Sequence, residues 1–497
     1  MRAPLELYRH SLALLTDFYQ LTMAYAAWKT GHAEHEAVFH LFFRKPPFRG
    51  GYAVACGIEP AIDYAAGVRF DEADLEYLAA QRSPDGAPLF EPGFLEYLRA
   101  LRPACEIDAV AEGTVVFPQE PMLRVRGPML QCMLLETPLL NLVNFQTLIA
   151  TKAARLCDAA AGMPVIEFGL RRAQGPDGAL SASRAAFVGG CEATSNTLAG
   201  RLFGIPVRGT HAHSWVMLHD SEPEAFSAYA RALPGNCTFL VDTYDTLQGV
   251  RHAIEVGRWL RGQGKELLGV RLDSGDLAWL SAEARKLLDE AGFPKAQIFA
   301  SNDLDEHLIE SLRHQGAQIA AWGVGTRLAT GHDEPALGGV YKLSAVRAGP
   351  SQPWRYRIKL SEQAIKVSTP GILQVRRFEQ DGQAYADMLF DVELGAPRPP
   401  TIVDPMDHTR RRVIPEGLHA EDLLQPAVRQ GRRTFDPPAL ADSRARAQAQ
   451  RSRLHAGIRR LLHPHQYPVG LELGLHELKT RLILAARSAP GPSGPAT

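Results

Sequence analysis

The sequence predicts an α/β protein in which an incomplete (β/α) barrel is combined with a discontinuous β-rich α+β domain and a C-terminal helical extension. The main observation is a series of six short apolar runs between residues 164 and 326, which end in polar residues and are separated by amphipathic stretches of helical length. Strands that alternate with helices are typical of a parallel sheet, and a barrel is its natural closure. Strand-like patterning also precedes this region and returns after residue 339, and a basic helical stretch follows at 443–462.

The same patterning divides the chain into four parts. They are an N-terminal α+β region at 1–125, the barrel at 126–339, a β-rich region that packs with the N-terminal part at 340–430, and the helical extension with a disordered tail at 431–497. The first part begins with a helix at 12–31, in which apolar side chains recur with a period near 3.6. The tail, SAPGPSGPAT, has a composition typical of disorder. We interpret the basic stretch as a solvated helix rather than as a partner surface.

Composition and charge limit the possible classes of function. The 497-residue chain has a formal net charge of −1, so no overall field attracts nucleic acid or an anionic membrane. None of its six cysteines falls in a CxxC pair, which argues against a zinc knuckle or a disulfide framework and fits a reducing compartment. No segment has the pattern of a signal peptide or a membrane span. We therefore expect a cytoplasmic protein that binds neither nucleic acid nor a membrane.

The six apolar runs place polar groups where a barrel enzyme has its active site. The runs are PVIEFGLRR (164–172), PVRGTHAHS (206–214), TFLVDTYD (238–245), LLGVRLDSGD (267–276), QIFASNDLD (297–305) and IAAWGVGT (319–326). Active sites of barrels lie at the carboxyl ends of the strands, where these polar residues stand. GTHAHS is therefore predicted to be one of several strand ends that face a common mouth.

An arginine and several acidic residues follow the middle strands. Arg271 and Asp273 are two residues apart and so share one face of a strand. The arginine offers a planar fork to a carboxylate or phosphate, and the aspartate can accept from sugar hydroxyls or hold a hydrated Mg²⁺. A buried ion pair that only supports the barrel is an equally open alternative. Neighbouring strand ends add Asp242, Asp245, Asn302 and Asp303. The last of these could equally be the N-cap of the next helix.

The run GVGT suggests an anion site. Gly323 and Gly325 let backbone N–H groups approach an anion closely, and Thr326 adds a hydroxyl. For so short a motif, a tight turn between a strand and a helix is the alternative. Its position at the late strands of a barrel favours a phosphate.

The run EFGLRR suggests a site for a flat, anionic ring. Phe168 offers an aromatic face beside Arg171 and Arg172, which suits stacking on one side and charge pairing at the edge. A core phenylalanine with two surface arginines would give the same pattern.

Two histidines lie in the GTHAHS run. His211 and His213 have the same strand parity, so both are predicted to face the mouth. A neutral imidazole is a good nucleophile near pH 7 and can carry a phosphoryl group, whereas a lone strand histidine is more often structural. From these residues alone, the mouth suits a phosphorylated sugar together with a small planar acid.

Taken with further motifs in the same order, these stretches resemble the nicotinate phosphoribosyltransferase family. The resemblance spans roughly residues 12–400 and rests on TDFYQLTMAYA (16–26), FFRKPPFRGGYAVACGI (42–58), EFGLRRAQGPDGALSASRAAFVGGCEATSN (167–196), GTHAHSW (209–215), VDTYDTLQG (241–249), GVRLDSGDL (269–277), ASNDLDE (300–306), GVGTRLAT (323–330) and GGVYKLSA (338–345).

The resemblance implies a type II phosphoribosyltransferase with an incomplete α/β barrel beside a discontinuous β-rich domain. Such enzymes usually form head-to-tail homodimers whose active sites include residues of both chains. The implied reaction joins nicotinate to phosphoribosyl pyrophosphate, with Mg²⁺ or Mn²⁺, and gives nicotinate mononucleotide and pyrophosphate, the salvage entry to NAD. Hydrolysis of ATP is coupled to this reaction through a phosphohistidine.

The resemblance also implies roles for individual residues. His213 is implied as the phosphorylated histidine, because the family pattern reads G-T-x-A-H and His211 fills the x position. Tyr19, from the neighbouring subunit, and Phe168 are implied on opposite faces of the nicotinate ring. Thr210 and Arg271 are also implied at nicotinate, and Arg271 with Asp273 completes the catalytic set with His213. For phosphoribosyl pyrophosphate, the resemblance implies Asp273 at the ribose hydroxyls and Gly323, Gly325 and Thr326 at the 5′-phosphate. Arg171 and Asn302 are implied as further ligands of phosphoribosyl pyrophosphate. Asp242 is implied as a ligand of Mg²⁺.

Other interpretations remain open. Glu192 stands in GGCEATSN where the family more often has Asp, so its contact near the ring is left unassigned. A nicotinamide phosphoribosyltransferase would share the fold and the cosubstrate and would differ in whether the ring substituent meets a cation or a carboxylate. A quinolinate enzyme would need a denser basic cluster. A non-catalytic sensor of phosphoribosyl pyrophosphate would have no use for His213, Arg271, Asp273 and the GVGT turn together.

Overall fold

The computed structural model describes residues 11–397 and 399–488, so the predicted disordered tail lies outside the described residues except for Ser488. The α-helices in chain order are α1 Phe18–Lys29, α2 Ile58–Gly67, α3 Glu72–Ala79, α4 Pro92–Ala100, α5 Met129–Leu134, α6 Glu136–Ala160, α7 Gly175–Gly189, α8 Thr197–Phe203, α9 His213–Met217, α10 Glu222–Ala232, α11 Thr246–Gly262, α12 Leu277–Glu290, α13 Glu306–His314, α14 Thr326–Ala329, α15 Leu440–Ser452 and α16 Leu473–Ser488. The helix predicted at 12–31 is confirmed as the shorter α1.

The strands cover both the N-terminal and the C-terminal parts of the chain. They are β1 Glu36–Phe43, β2 Ala53–Val54, β3 Glu106–Ala109, β4 Val115–Val116, β5 Leu123–Pro128, β6 Val165–Glu167, β7 Ala193–Thr194, β8 Thr238–Leu240, β9 Gly269–Leu272, β10 Gln297–Ala300, β11 Ala321–Val324, β12 Gly339–Arg347, β13 Arg355–Tyr356, β14 Leu373–Gln380, β15 Gln383–Asp391, β16 Thr401–Val403, β17 Arg411–Val413, β18 His419–Asp422, β19 Gln425–Arg429, β20 Arg432–Arg433 and β21 Val469–Glu472.

The chain folds into two compact units. Among the described residues, the first unit comprises 11–147, 337–397, 399–439 and 449–488, and the second comprises 148–336 and 440–448. Helix α6 begins in the first unit and ends in the second. The four-part division predicted from the sequence, with boundaries at 125, 339 and 430, stays a prediction.

The first unit is built on two large sheets. A seven-stranded sheet has the order β13-β12-β1-β5-β3-β19-β20, and all its pairs are antiparallel. A six-stranded sheet has the order β17-β16-β21-β15-β14-β18, in which β15 and β21 are parallel. Strand β1 is central and buried from Ala37 to Phe43, because its sequence, EAVFHLFF, is apolar on both faces.

The second unit is built on a six-stranded parallel sheet with the order β7-β6-β11-β10-β9-β8. A helix follows each strand, and β8 and β11 are buried along their whole length, as expected of a sheet covered on both faces. The sequence therefore correctly predicted a mixed α/β protein with several sheets and with parallel strands in this region. Five of the six predicted strands are confirmed, as β6, β8, β9, β10 and β11.

Aspartates begin the helices that follow three of these strands. Asp245, Asp276 and Asp305 are the N-caps of α11, α12 and α13, and each side chain accepts from a backbone N–H in the first turn. The alternative that Asp303 caps the helix is wrong, since the cap is two residues later. Asp303 instead donates its backbone N–H to Asn302 Oδ1.

The strand predicted over PVRGTHAHS is wrong. Val207 makes only an isolated bridge with Thr194, and no strand forms from residue 208 to residue 212. Pro206 lacks an N–H for a ladder, and Gly209 weakens an extended segment, so the pairing stops after one bridge. The sixth strand is instead β7, two residues within GGCEATSN. Consequently, GTHAHS is a loop that leads into α9, which begins at His213.

The interpretation of the basic stretch as a solvated helix is also wrong for the first part of α15. Ser443 and Ala447 are buried, and residues 440–448 belong to the second unit. Arg444 donates from Nε and Nη2 to the carbonyl oxygens of Cys191 and Gly190, at 3.2 and 3.0 Å. The sequence shows the positive charge of this helix, but it does not show that Arg444 donates to backbone carbonyl oxygens.

One helical stretch of the described chain, Met129–Ala160, is long and apolar enough to cross a membrane, with a mean hydropathy of 1.2 over its most apolar window. More than half of that window is buried inside the protein. Core helices have the same length and composition, so the stretch is weak evidence for a span.

Candidate active site

A cavity of about 1090 Å³ lies in the second unit. Its wall includes pairs of side chains two residues apart on neighbouring strands, which point to the same face of the sheet: Ile166 and Phe168, Phe299 and Ser301, and Ala321 and Gly323. Thr210 and Arg271 belong to the polar part of the wall, which also includes Glu192, Arg208, Asn236, Arg261, Glu266, Lys295 and Gln297. This volume is at the upper end for small-molecule sites, roughly 300–1,000 Å³.

Arg271, on β9, is the centre of a polar cluster in this wall. Its Nε donates to Ser301 Oγ at 2.8 Å, its Nη2 to Asp273 Oδ1 at 2.9 Å, and its Nη1 to Thr210 Oγ1 at 3.4 Å. Ser301 Oγ in turn donates to Asp273 Oδ1. A guanidinium has five N–H groups, so two remain to bind an anionic ligand. The Arg271–Asp273 ion pair that the sequence left open is therefore present, and it leaves the arginine able to bind a ligand.

Phe168 lies beside this cluster, and Gly323 makes room for its ring. The Arg271 guanidinium carbon is 5.5 Å from the ring centroid. A Cβ atom at Gly323 would lie 2.7 Å from Phe168 Cε2, a distance at which atoms clash. The structure thus brings Phe168, Thr210, Arg271 and Gly323 together. Gly323 contacts the aromatic ring here, and its predicted role at a phosphate stays a prediction.

We expect Gly323→Ala to raise the KM for the ring substrate about tenfold, because the added methyl forces the Phe168 ring to turn and overpacking a filled site costs about 1–3 kcal/mol. Gly235→Ala is the matched control, since Gly235 lines the same cavity and its added Cβ would meet no atom within 4 Å. Steady-state kinetics of both variants checks this. An unchanged KM in a folded Gly323→Ala protein would contradict the assigned ring position.

Asp242 connects the Arg271 cluster to His213. Its side chain is 1% exposed, and its Oδ2 accepts from Asp273 N at 2.9 Å and from Ser274 Oγ at 2.6 Å. Its Oδ1 has no hydrogen-bond partner and lies 4.0 Å from His213 Nε2. A buried carboxylate oxygen without a donor is costly in a folded protein, and hard oxygen donors are the ligands that Mg²⁺ prefers. Asp242 therefore fits the predicted role at a metal ion.

The two histidines have different environments, so the prediction that both face the mouth is wrong. His213 begins α9, its side chain is 41% exposed, and its Nδ1 lies 3.1 Å from Thr243 Oγ1. His211 is buried among aromatic rings, and its Nε2 accepts from the backbone N–H of Leu240 at 3.3 Å. Burial lowers the pKa of His211 to about 4. The alternation rule failed because this segment is a loop.

Several predicted residues lie apart from the cavity wall. Arg171 and Arg172 are exposed in the 3-10 helix Leu170–Arg172 that follows β6, and Asn302 is exposed in the loop after β10. Gly325 and Thr326 are half-buried at the start of α14. Tyr19 lies on α1, in the first unit, and its side chain is half exposed. Glu192 lines the cavity. Ser301, Ser274 and Thr243, which sequence reasoning missed, make the contacts described above. Their only sequence signal is a position just after a strand.

No group of three or more His, Cys, Asp or Glu side chains among the described residues is arranged to hold a metal ion. The carboxylates of Asp242 and Asp273 alone would leave most of the coordination sphere of a Mg²⁺ ion to water and substrate. This is how Mg²⁺ usually binds beside phosphorylated substrates, so the residues fit an ion that binds together with a pyrophosphate.

Comparison with known proteins identifies the family. The N-terminal domain of nicotinate phosphoribosyltransferase matches residues 14–144, and its C-terminal domain matches residues 374–479. The nicotinate phosphoribosyltransferase of Bacillus subtilis is 41% identical over 485 residues, which are 95% of this chain and 97% of that protein. The chain belongs to the nicotinate phosphoribosyltransferase family. The resemblance seen in the sequence motifs is thereby confirmed.

Solved structures of the family agree with this assignment. The crystal structure of human nicotinic acid phosphoribosyltransferase superposes with a TM-score of 0.81 at 34% identity and covers 94% of this chain and 99% of that one. A nicotinate-nucleotide pyrophosphorylase from Pyrococcus furiosus has a TM-score of 0.69 at 21% identity, which shows a shared fold alone. The mixed α/β fold with several sheets is thus that of a nicotinate phosphoribosyltransferase.

Proposed function

We propose that this chain transfers the phosphoribosyl group of phosphoribosyl pyrophosphate to the ring nitrogen of nicotinate and that ATP hydrolysis is coupled to the transfer through a phosphohistidine. The products are nicotinate mononucleotide and pyrophosphate, with ADP and phosphate from ATP, and the reaction is a salvage route to NAD. The observation that carries the proposal is the aromatic face of Phe168 beside the Arg271 guanidinium, in a chain of this family.

The nicotinate site is proposed at Phe168, Thr210 and Arg271. A pyridine ring stacks on the face of Phe168, and its carboxylate pairs with the two free N–H groups of Arg271. Asp273 and Ser301 hold the guanidinium in place, so the fork is oriented before the substrate binds. The second face of the ring is assigned to Tyr19 of the neighbouring subunit. Its half-exposed side chain supports this role, since a second molecule can reach it.

The phosphoribosyl site is proposed at the polar ends of β9, β10 and β11. Asp273 accepts from the ribose hydroxyls, and the backbone of Gly323 and Gly325 with the Thr326 hydroxyl holds the 5′-phosphate. Asn302 and Arg171 are exposed in the segments that follow parallel strands, where a pyrophosphate can reach them. Positive charge there stabilises the pyrophosphate as it leaves C1 of the ribose.

Asp242 and Asp273 would hold Mg²⁺ or Mn²⁺. The ion would neutralise charge on the departing pyrophosphate. The unpaired, buried Oδ1 of Asp242 supports this assignment.

His213 is proposed as the phosphorylated residue. Thr243 orients the ring at Nδ1, which leaves Nε2 directed to Asp242, with the side chain 41% exposed. Attack of an imidazole nitrogen on the γ-phosphorus of ATP forms the N–P bond and breaks the bond to ADP, and water later cleaves the N–P bond to give phosphate. The added charge can order the pyrophosphate region and tighten substrate binding, and its loss can then release the product.

Finer features of the assembly are part of the same proposal. The parallel sheet is interpreted as an incomplete barrel, supported by inward-pointing side chains on β6, β10 and β11 that line one cavity. A cytoplasmic location and a homodimer with shared active sites complete the proposal. The homodimer is supported by exposed apolar side chains on or near α8 and α9, which a second copy would cover. They are Leu198, Leu202, Val207, Met217 and Leu218.

The test is product formation from phosphoribosyl pyrophosphate and Mg²⁺, with nicotinate and nicotinamide in competition, with and without ATP. We expect nicotinate mononucleotide, formed faster with ATP. Nicotinamide mononucleotide instead would support a nicotinamide enzyme and reassign the residues at the ring substituent. Binding of phosphoribosyl pyrophosphate without either product would support a non-catalytic sensor.

A further inference from the structure

Glu167 is a buried carboxylate directly before Phe168, and nothing in the proposed reaction uses it. It is the last residue of β6, and it is 1% exposed. Within the described residues it forms no ion pair with Lys, Arg or His. Burying a charge without a counter-ion is costly, and it persists only where several donors satisfy it. Packing alone therefore does not explain a buried carboxylate at this position.

Three neutral donors bind this carboxylate from three parts of the second unit. Ser183 Oγ of α7 donates to Oε2 at 2.8 Å, and Thr194 Oγ1 of β7 donates to the same oxygen at 2.6 Å. The backbone N–H of Gly169 donates to Oε1. Asn196 extends the network, since its Nδ2 donates to Ser183 Oγ at 3.1 Å and its backbone N–H donates to Thr194 Oγ1 at 2.9 Å.

The network fixes the backbone on both sides of Phe168. The N–H of Phe168 donates to Val324 O at 2.8 Å, and the next N–H, of Gly169, is held by Glu167. A side chain at Gly169 would collide with Ala329, since its Cβ would lie 2.3 Å from the Ala329 Cβ. With both flanking peptide groups fixed, the Cα–Cβ bond of Phe168 is directed to the space beside Gly323 and Arg271, where its ring lies.

We infer that Glu167, held by Ser183 and Thr194, is a positioning residue that sets the Phe168 ring for stacking on the substrate ring. The inference rests on the proposed function, in which Phe168 contacts nicotinate. Glu167 does not touch the substrate, and its effect passes through Phe168. It therefore acts mainly on binding of the ring substrate, and His213, which lies outside this network, is unaffected.

Glu167→Gln tests this directly, because an amide N–H₂ group at Oε2 would require Ser183 and Thr194 to change from donors to acceptors, and one at Oε1 would face the Gly169 N–H. We expect the KM for nicotinate to rise about tenfold, as a displaced binding group predicts, with kcat changed less than about twofold. The amount of phosphohistidine formed with ATP should not change, and the KM for phosphoribosyl pyrophosphate should rise less than the KM for nicotinate. An altered melting temperature with an unchanged KM for nicotinate would show a merely structural role and overturn the inference.

A second pair of variants keeps the test valid if Glu167→Gln does not fold. Thr194→Val removes one donor at nearly constant volume and should raise the KM for nicotinate in the same direction. Thr194→Ser keeps the hydroxyl and should restore a KM near that of the unmodified protein. Equal KM values for the two variants would contradict the inference.

A double-mutant cycle shows whether Glu167 acts through Phe168. In a Phe168→Ala background, Glu167→Gln should add less than about a twofold rise in KM, because the positioned ring is gone. If the two substitutions raised the KM for nicotinate by independent factors that multiply in the double variant, the inference would be overturned. The unmodified protein tests the proposed function separately from this inference. If the unmodified protein makes no nicotinate mononucleotide, the proposed function fails. If it does, and Glu167→Gln has an unaltered KM for nicotinate, only the inference about Glu167 fails.

Discussion

Replacing Arg271 by alanine is expected to lower kcat/KM for nicotinate about a thousandfold, or roughly 4 kcal/mol of transition-state stabilisation. The change removes the fork that binds the carboxylate. It also leaves Asp273, Ser301 and Thr210 without a shared donor. Arg271 is 16% exposed, so water cannot readily replace these hydrogen bonds. Steady-state kinetics with nicotinate varied at saturating phosphoribosyl pyrophosphate measures the loss.

Two further variants show which property of Arg271 matters. Arg271→Lys keeps the charge but loses the planar fork, so we expect an intermediate loss of activity. Arg258→Ala removes an exposed arginine of α11 and controls for the overall change in charge. If Arg271→Ala retained more than about a tenth of the kcat/KM, the cluster would be a structural ion pair and the ring site would lie elsewhere.

The second large effect is expected from His213→Asn, which should abolish the stimulation of product formation by ATP and leave a slower, ATP-independent reaction. Asparagine retains a polar side chain beside Thr243 but has no nitrogen that can accept a phosphoryl group. The measurements are the ratio of rates with and without ATP, release of ADP, and acid-labile phosphate on the protein.

The control for this variant is His307→Asn, which changes an exposed histidine of α13. It should keep full ATP stimulation. ATP stimulation that survives His213→Asn would show that no phosphohistidine at this position couples the two reactions. His211 offers no alternative acceptor, because it is buried among aromatic rings, its Nε2 accepts from the Leu240 N–H, and its Nδ1 faces the carbonyl oxygen of Ala212.

Most of the parallel sheet could be predicted from the sequence, because its strands are continuous apolar runs that end in polar residues. Strand β7 could not, since Ala193 and Thr194 form only two paired residues in a polar context. The segment 206–214 has the composition of a strand, but Pro206 and Gly209 limit its pairing to one bridge with Thr194. In this segment only His211 is buried, so a short apolar pattern alone establishes neither the pairing nor the burial of a segment.

The candidate site was predictable where one residue type carries a distinctive chemistry. Arg271, Phe168 and His213 stand out in the sequence as a fork, an aromatic face and a nucleophile. Ser301, Thr243 and Glu167 do not, because a hydroxyl or a buried carboxylate acquires its role only from the atoms that the fold brings to it. For Glu167 these are donors from residue 183 on helix α7 and residue 194 on strand β7.

The pairing of β1 with β12 has a consequence for how the chain reaches this structure. Glu36 and Arg347 are paired across β1 and β12 although they are 311 residues apart. During synthesis, β1 can pair with β5 long before β12 leaves the ribosome, so one edge of an apolar strand stays open while the intervening segment is made. Open edges promote aggregation, and distant pairings form slowly. The inserted residues 148–336, whose parallel strands follow one another closely, are thus expected to fold first, and the sheet that contains the earliest strand is completed late.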